Sequence, residues 1–477
     1  MALSPPNDGR PFLIAFIVAC AFFMEQLDGT VIATALPQMA RTFHDIPVNV
    51  SLGMTAYLLT LAVFIPVSGW MADRFGARTI FRSAILIFTL ASILCAFSET
   101  LSQFVAARVV QGIGGAMMVP VGRLVVLRTA RKRELIRAMA FITTPGLVAP
   151  VLGPPLGGFI TTYASWRWIF FLNIPIGIAG LILIALFMPN PRADEHRPFD
   201  TLGFILTGTG LASLMYGIEL VGRPDTNWPI ALIFCAIGLI VGSCAWIHLQ
   251  KSTKPLLDLS TLRIPTYATP TLWSGIPYRI VIGSTPFLWA LMFQIGFGLN
   301  PFLAGLLIIG CAIGDVSMKA FSTQILARFG FRNVLVTNGL LIAALVTLSG
   351  EFSRETPLAV IFVVLTAVGV CRSVQFTSFN ALAYADVPQT QLSAASSLAS
   401  TFQQLSFGMG IAVGALALHG AVLLRGGAKG VLTVPDFHLA FVAIGGIALL
   451  STLPLLRLAP QAGAEISGHL AGVPAPR

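Results

Sequence analysis

The stretch GWMADRFGARTIFR, residues 69–82, joins two long apolar runs and carries three arginines, one aspartate and two glycines. Gly69 and Gly76 permit a tight turn between two helices. Asp73, set among Arg74, Arg78 and Arg82, can accept charge-assisted bonds from a guanidinium or from the exposed N–H groups of a neighbouring helix. Such a contact would latch two parts of the molecule in one state and release them in another; a solvated basic loop would need no partner. The stretch has an echo. ADRFGAR at 72–78 returns as ARFGFR at 327–332, and RVVQ at 108–111 returns as RSVQ at 372–375. Both pairs lie eight apolar runs apart, which predicts two related six-helix halves with two further spans between them, the usual build of a secondary transporter with its site at the interface of the repeats.

The runs themselves are unambiguous in kind. Of 477 residues, 56% are hydrophobic and only 10% charged, with a mean hydropathy of +0.85, whereas soluble globular chains run near one quarter charged. Apolar stretches of about 20 residues, enough to cross roughly 30 Å of hydrocarbon, fall at 12–34, 50–69, 80–98, 102–126, 138–160, 167–188, 201–220, 229–249, 271–296, 301–325, 331–350, 357–380, 393–418 and 437–457. The expectation is an all-α membrane protein of about 14 transmembrane helices. A six-helix bundle at 1–190 is followed by two linking spans at 191–265, a second bundle at 266–460 and a disordered tail at 461–477.

A net charge of +10 and pI of 9.7 would suit a nucleic-acid partner, but the placement argues otherwise. With both termini cytoplasmic, eighteen basic residues fall on the cytoplasmic side, the densest group being Arg128, Arg131, Lys132, Arg133 and Arg137, and six on the other. That is the positive-inside bias of a membrane protein. The six cysteines lie in or beside apolar runs without a C-x-x-C pair, and the six histidines are scattered, so neither a metal site nor an intramembrane enzyme is expected. No G-x-x-x-x-G-K-[ST] loop is present; an ion gradient, with no cofactor, would drive the work. The expected partners are a small-molecule substrate, protons and the lipid bilayer, and the expected state is a monomer.

Charges inside the spans mark the chemistry. FFMEQLDGTVIATALP, residues 22–37, holds Glu25 and Asp28 three apart on one helical face. Each ionised group costs about 2.5–3.5 kcal/mol at mid-membrane and therefore faces a cavity or a partner. Arg108, which stays charged, must be solvated or paired: either it biases the protonation of Asp28 or Glu25, or it clamps helices together. Asp315 and Lys319 stand four apart and can pair along one helix. Arg279 and Arg372 have no acid nearby in sequence. With Gln111 and Gln375, these four charged residues are the candidates for the substrate cavity. The run from Gly146 to Gly158 sets small residues at three- and four-residue spacing, the pattern of close helix packing.

G-x-x-x-D-R-x-G-x-R after the second span resembles the loop signature of the major facilitator superfamily. The resemblance extends through the chain and is sharpest to the fourteen-span drug:proton antiporter branch. It is carried by LDGTVIATALP (27–37), ARVVQGIGGAMMVP (107–120), GLVAPVLGPPLGG (146–158), SWRWIFFLNIPIG (165–177), and Ser396, Gln403, Gln404, Gly408 and Gly410. It implies a two-bundle transporter that exports amphipathic compounds by proton antiport. In it, Asp28, Glu25 and Arg108 would handle the proton, and Gly69, Asp73, Arg74, Gly76 and Arg78 would form a conformational latch. Gly146, Gly153, Pro154, Gly157 and Gly158 would form an antiporter motif sealing the interface of the halves. The alternative is a dedicated exporter of an anionic metabolite recognised by intramembrane arginines. The chain also departs from the pattern: Ala77, Ala149 and Ala327 replace a basic residue, a glycine and an acid, so the latch should rest on Asp73 alone, and Glu25 stands where an uncharged residue is expected.

Overall fold

The computed structural model describes residues 10–45, 50–130, 134–189, 198–221, 227–426 and 432–469. Arg131, Lys132 and Arg133 of the basic cluster lie outside them. In hydrocarbon every backbone N–H and C=O must be satisfied within its own segment, and the apolar runs accordingly become helices. The first half comprises α1 (Arg10–Phe43), α2 (Leu52–Phe75), α3 (Ala77–Ala96), α4 (Leu101–Thr129), α5 (Leu135–Tyr163) and α6 (Trp168–Phe187). Next come α7 (Thr201–Val221) and α8 (Trp228–Lys251). The second half comprises α9 (Pro265–Gly296), α10 (Pro301–Met318), α11 (Phe331–Gly350), α12 (Leu358–Leu382), α13 (Leu392–Arg425) and α14 (Val434–Thr452). Side chains set where helices begin: Thr100 accepts from the N–H of Gln103, Asn227 from Ile230 and Asn300 from Leu303, the last two followed by proline in the first turn.

Among the described residues, twelve helices are long and apolar enough to cross a membrane, and a thirteenth span forms if α10 and the helix Ser322–Phe329, bent by 63° from each other, are taken together. The helix at the fifth expected span, α5, is 29 residues long. The tail differs from expectation: Ala464–Ser467 is helical, with Ile466 buried. A disordered segment cannot begin at 461 when its first residues bury apolar surface; residues 470–477 lie outside those described.

In the first half α1 packs on α4, α5 and α6, and α3 on α4 and α6. In the second, α9 packs on α13 and α14, α10 on α12, and α11 on α12 and α14. The α7–α8 hairpin stands outside this plan. Helix α7 leans on α2 and α13, one from each half, while α8 turns Leu232, Ile233, Leu239 and Ile240 outward. The halves meet along α2–α13, α4–α13, α5–α10 and α5–α12.

Candidate functional site

Arg108 and Gln111 are one turn apart on α4 and so point the same way, as do Glu25 and Asp28 on α1. The four converge inside the first half. Arg108 Nη1 donates to Asp28 Oδ2 at 2.5 Å and to Gln111 Oε1 at 2.6 Å, and its Nε donates to the Gly53 carbonyl at 3.3 Å. The guanidinium lies 4.2 Å over the ring of Tyr57. The other oxygen of Asp28 accepts from Gln111 Nε2 and Asn173 Nδ2, each at 3.0 Å, and both amides also donate to Ser92 Oγ. Side chains from α1, α3, α4 and α6 thus meet in one network around a buried ion pair.

Glu25 is on the same face and as deeply placed, at 6% exposure, yet its Oε2 has no hydrogen-bond partner among the described residues; neither has the Tyr57 hydroxyl. The two acids of α1 are therefore chemically unlike. Asp28 is neutralised and saturated, and Glu25 is neither.

The second half carries the echo predicted by RVVQ and RSVQ. Arg372 Nε donates to Asp315 Oδ2 at 2.8 Å, with Nη2 on the same oxygen, and Gln375 Oε1 accepts from Asn338 Nδ2 at 2.9 Å. This overturns the expected Asp315–Lys319 pair. Lys319, which caps α10 with helical φ and ψ, stays in register with Asp315 but finds other partners. Its Nζ instead bridges Thr377 Oγ1 on α12 and Thr143 Oγ1 on α5, each at 3.0 Å, across the two halves. Arg279 finds only the Thr271 carbonyl, at 3.2 Å. The substrate-cavity candidates are thus split. Gln111 belongs to the first ion-pair network, Asp315, Arg372 and Gln375 to its echo, and Lys319 to the interface.

The Asp73 loop does join the halves. Asp73 Oδ1 accepts from Arg128 Nη2 on α4 at 3.0 Å, and Oδ2 accepts from Ser393 Oγ on α13 at 2.5 Å. One turn earlier a Cβ on Gly69 would stand 2.8 Å from the Ser393 carbonyl, so only glycine lets α2 approach α13 this closely. Ser68 Oγ and Ser397 Oγ share a hydrogen bond at 2.8 Å, and Ser396 Oγ donates to the Pro120 carbonyl at 2.7 Å. Gly76 turns the chain with φ of 91°, as Gly330 does in the echo with φ of 75°. Of the other expected latch residues, Arg78 donates to the Ala185 carbonyl at 2.5 Å within its own half, and Arg74 is exposed. All these contacts between the halves fall on the side where α1 begins and α14 ends.

A model of the Major Facilitator Superfamily matches residues 18–410. The chain belongs to this superfamily. It is 41% identical over 459 residues, 93% of this chain and 92% of the relative, to the putative multidrug resistance protein MdtD of Serratia proteamaculans (strain 568). To the protein of the same name from Pectobacterium carotovorum subsp. carotovorum (strain PC1) it is 40% identical over 405 residues, 84% of this chain and 86% of that one. Two solved facilitator structures share its fold at a TM-score of 0.68. One is the human organic anion transporter MFSD10 (15% identity, 95% of this chain and 100% of that one) and the other the proton:xylose symporter XylE (12% identity, 97% and 99%).

The glycine motif of α5 has close neighbours at two of its positions. A Cβ on Gly153 would meet Thr30, one on Gly157 would meet Thr34 and the Val31 carbonyl, and Gly158 has open space around it. Gly153 and Gly157 thus pack on α1 inside the first half, while α5 also meets α10 and α12 of the second half. The surroundings of Gly146 and Pro154 lie outside the described residues. Sequence reasoning also missed Asn173, Ser92, Arg128 and Ser393. Asn173 had a signal, being the only carboxamide in the apolar run 168–188; the two serines had none.

Proposed function

We propose that this superfamily member exports amphipathic organic compounds, drugs among them, from a bacterial cytoplasm in exchange for protons. In this reading Glu25 carries the proton, and the Arg108–Asp28 pair is the fixed charge beside it. The observation that carries the reading is the contrast between the two acids. A buried carboxylate without a cation costs several kcal/mol, and a proton removes that cost. Asp28 already has Arg108 and two amides, so it has far less to gain from one. The cargo class rests on the names of the relatives, multidrug resistance proteins about 40% identical over most of the chain.

The protein acts as a multi-pass monomer of the inner membrane with both termini cytoplasmic, as its basic loops favour. On that orientation the latched side is the cytoplasmic one, and the present arrangement is the state that receives a proton from outside. When the halves part at Asp73 and Ser393, the cavity opens inward, Glu25 releases its proton and cargo takes its place. A membrane potential adds about 2.3 kcal/mol per charge per 100 mV, so the cycle needs no nucleotide or bound cofactor.

The test uses inside-out vesicles with a pH-sensitive dye and a panel of efflux substrates. Glu25→Gln is expected to abolish substrate-induced proton movement. A Glu25→Gln protein that exchanges protons at the wild-type rate would remove the assignment.

A further inference from the structure

Five basic side chains lie within the spans, and they are not equivalent. Arg108 and Arg372 each hold an acid of their own half. Lys319 holds two threonine hydroxyls. Arg123 on α4 and Arg279 on α9 are buried at 2% and 3% exposure, come from opposite halves, and touch no carboxylate. Arg123 donates to Tyr384 Oη at 3.3 Å, Ser400 Oγ at 3.5 Å and Gln403 Oε1 at 3.1 Å. The Nε of each arginine is buried without an acceptor among the described residues. Thr271, the acceptor of Arg279, lies one turn along α9 from Tyr267, whose ring is 6.3 Å from that of Tyr384, the acceptor of Arg123, so the two arginines flank one pair of aromatic rings. Asp386, two residues beyond Tyr384, is engaged by Thr266 Oγ1 at 2.7 Å.

Two cations buried out of water, with neutral partners only among the described residues, are a costly arrangement for a purely structural purpose. A structural pair elsewhere in this chain includes its acid. We propose that Arg123 and Arg279 bind the anionic group of the exported molecule, so that the cargo is an amphipathic organic anion bearing a carboxylate, sulfonate or phosphate. The guanidinium fork matches such groups in two-point contact, and the paired Tyr267 and Tyr384 rings offer an aromatic wall. The contacts of Arg123 with Tyr384, Ser400 and Gln403 cross between the halves, on the same side as the Asp73 latch. Parting the halves there breaks those bonds and turns both arginines toward the cytoplasm, where cargo would load.

The inference deepens the export reading by naming the charge class of the cargo and rests on it only for the direction of movement. The probes are naphthalene-2-sulfonate and its cationic counterpart, 2-naphthyltrimethylammonium, with the full chain purified in detergent. The sulfonate should raise the unfolding temperature of the wild type and the ammonium should not. By calorimetry, Arg123→Gln and Arg279→Gln should each bind the sulfonate at least tenfold more weakly, and the two lysine variants should fall between. Lack of selectivity for the sulfonate in the wild type overturns the proposal without any variant, and so do Gln variants that are monodisperse and keep wild-type affinity. If dioleoylphosphatidylglycerol displaces the sulfonate as effectively as the acid naphthalene-2-carboxylate does, the site belongs to a lipid headgroup and the cargo assignment fails. Proton exchange separates the two readings. Anion binding lost in the Arg123 variant with Glu25-dependent proton movement intact supports the site, and anion binding in a wild type that moves no protons leaves the site standing while the antiport reading falls.

Discussion

Replacing Asp28 by asparagine keeps the volume and removes one charge from a pair that has less than 3% exposure on either side. Arg108 then keeps Gln111 and the Gly53 carbonyl but no anion. Breaking a buried pair by removing one partner costs about 3–5 kcal/mol, because the remaining charge stays buried and uncompensated. Glu25→Gln removes a carboxylate whose Oε2 has no partner, so that change should be neutral or stabilising. The two substitutions, one turn apart on one helix, are therefore expected to differ by about 3 kcal/mol or more. A double change, Asp28→Asn with Arg108→Met, removes both charges and should recover much of the loss. The cysteines supply the assay: Cys95 and Cys311 are buried and become reactive on unfolding, above a constant signal from exposed Cys244. With a thiol-reactive dye in detergent, unfolding temperatures should rank Glu25→Gln level with wild type, the double variant below, and Asp28→Asn lowest. Equal destabilisation by the two single changes would refute the reasoning, since it would mean that Glu25 is held by a partner as strong as that of Asp28.

Three further outcomes are expected. Ser393→Ala removes one bond to a charged oxygen, worth about 1.5–3 kcal/mol, and should move the population toward the state open at Asp73 by roughly 10- to 100-fold, read as spin-label distances between α2 and α13; an unchanged distribution would show that Ser393 is not part of the latch. Gly157→Ala drives a methyl against Thr34 Oγ1 and the Val31 carbonyl and should cost about 1–3 kcal/mol in the same thiol assay. Asp200, ahead of α7, is pushed up by burial, but the N–H of Gly203, His248 and the N–H of Leu256 outweigh this and hold it below the ordinary carboxylate value. A lowered folded value gives stability above the unfolded value near 3.9 that is lost as pH falls through the folded one. Asp200→Ala should thus cost about 1–2 kcal/mol near neutrality, as a lost cap does, with the gap to wild type closing below about pH 4.

Composition and run length make the spans legible, because a lipid-crossing helix must be apolar over its whole length. The RVVQ and RSVQ echo predicts related halves, and the echoed arginine does hold an aspartate in each, but that pairing is not written in the echo, and Gln375 turns to Asn338 where Gln111 joins Arg108. What the sequence does not carry is which acid joins which base when they are far apart in the chain. Asp315 has Lys319 four residues on in continuous helical register and yet pairs with Arg372, 57 residues away, because helix packing brings that guanidinium onto it while the Lys319 ammonium reaches Thr143 and Thr377. Ser393 reaches Asp73 across 320 residues, and no periodicity reports a contact made by rigid halves meeting. The glycine stripe of α5 shows the same limit. Spacing says that something packs closely on Gly153 and Gly157, and only the fold says that it is α1.

The echo loops explain why the latch can both hold and let go. In the first half Asp73 binds Ser393 across the interface but keeps Arg128 on its own side. In the second, Ala327 stands where an acid would be, and its carbonyl accepts from Nδ1 of His469 in the chain's own terminal segment, which also covers the turn at Gly330. Among the described residues, one charged latch therefore crosses the interface at these loops. When it opens, Asp73 retains its arginine, so no charge is stranded at this loop. Beside the bonds of Arg123 and Lys319 that also cross the interface, the loop's own share of the cost is that of a single bond to a charged group, about 1.5–3 kcal/mol. That is of the same order as the roughly 2.3 kcal/mol that 100 mV supplies per charge. Two symmetric latches would double the cost and bias the molecule further toward one state. On the proposed cycle, a single latch leaves less to be supplied by cargo binding or by proton movement at Glu25.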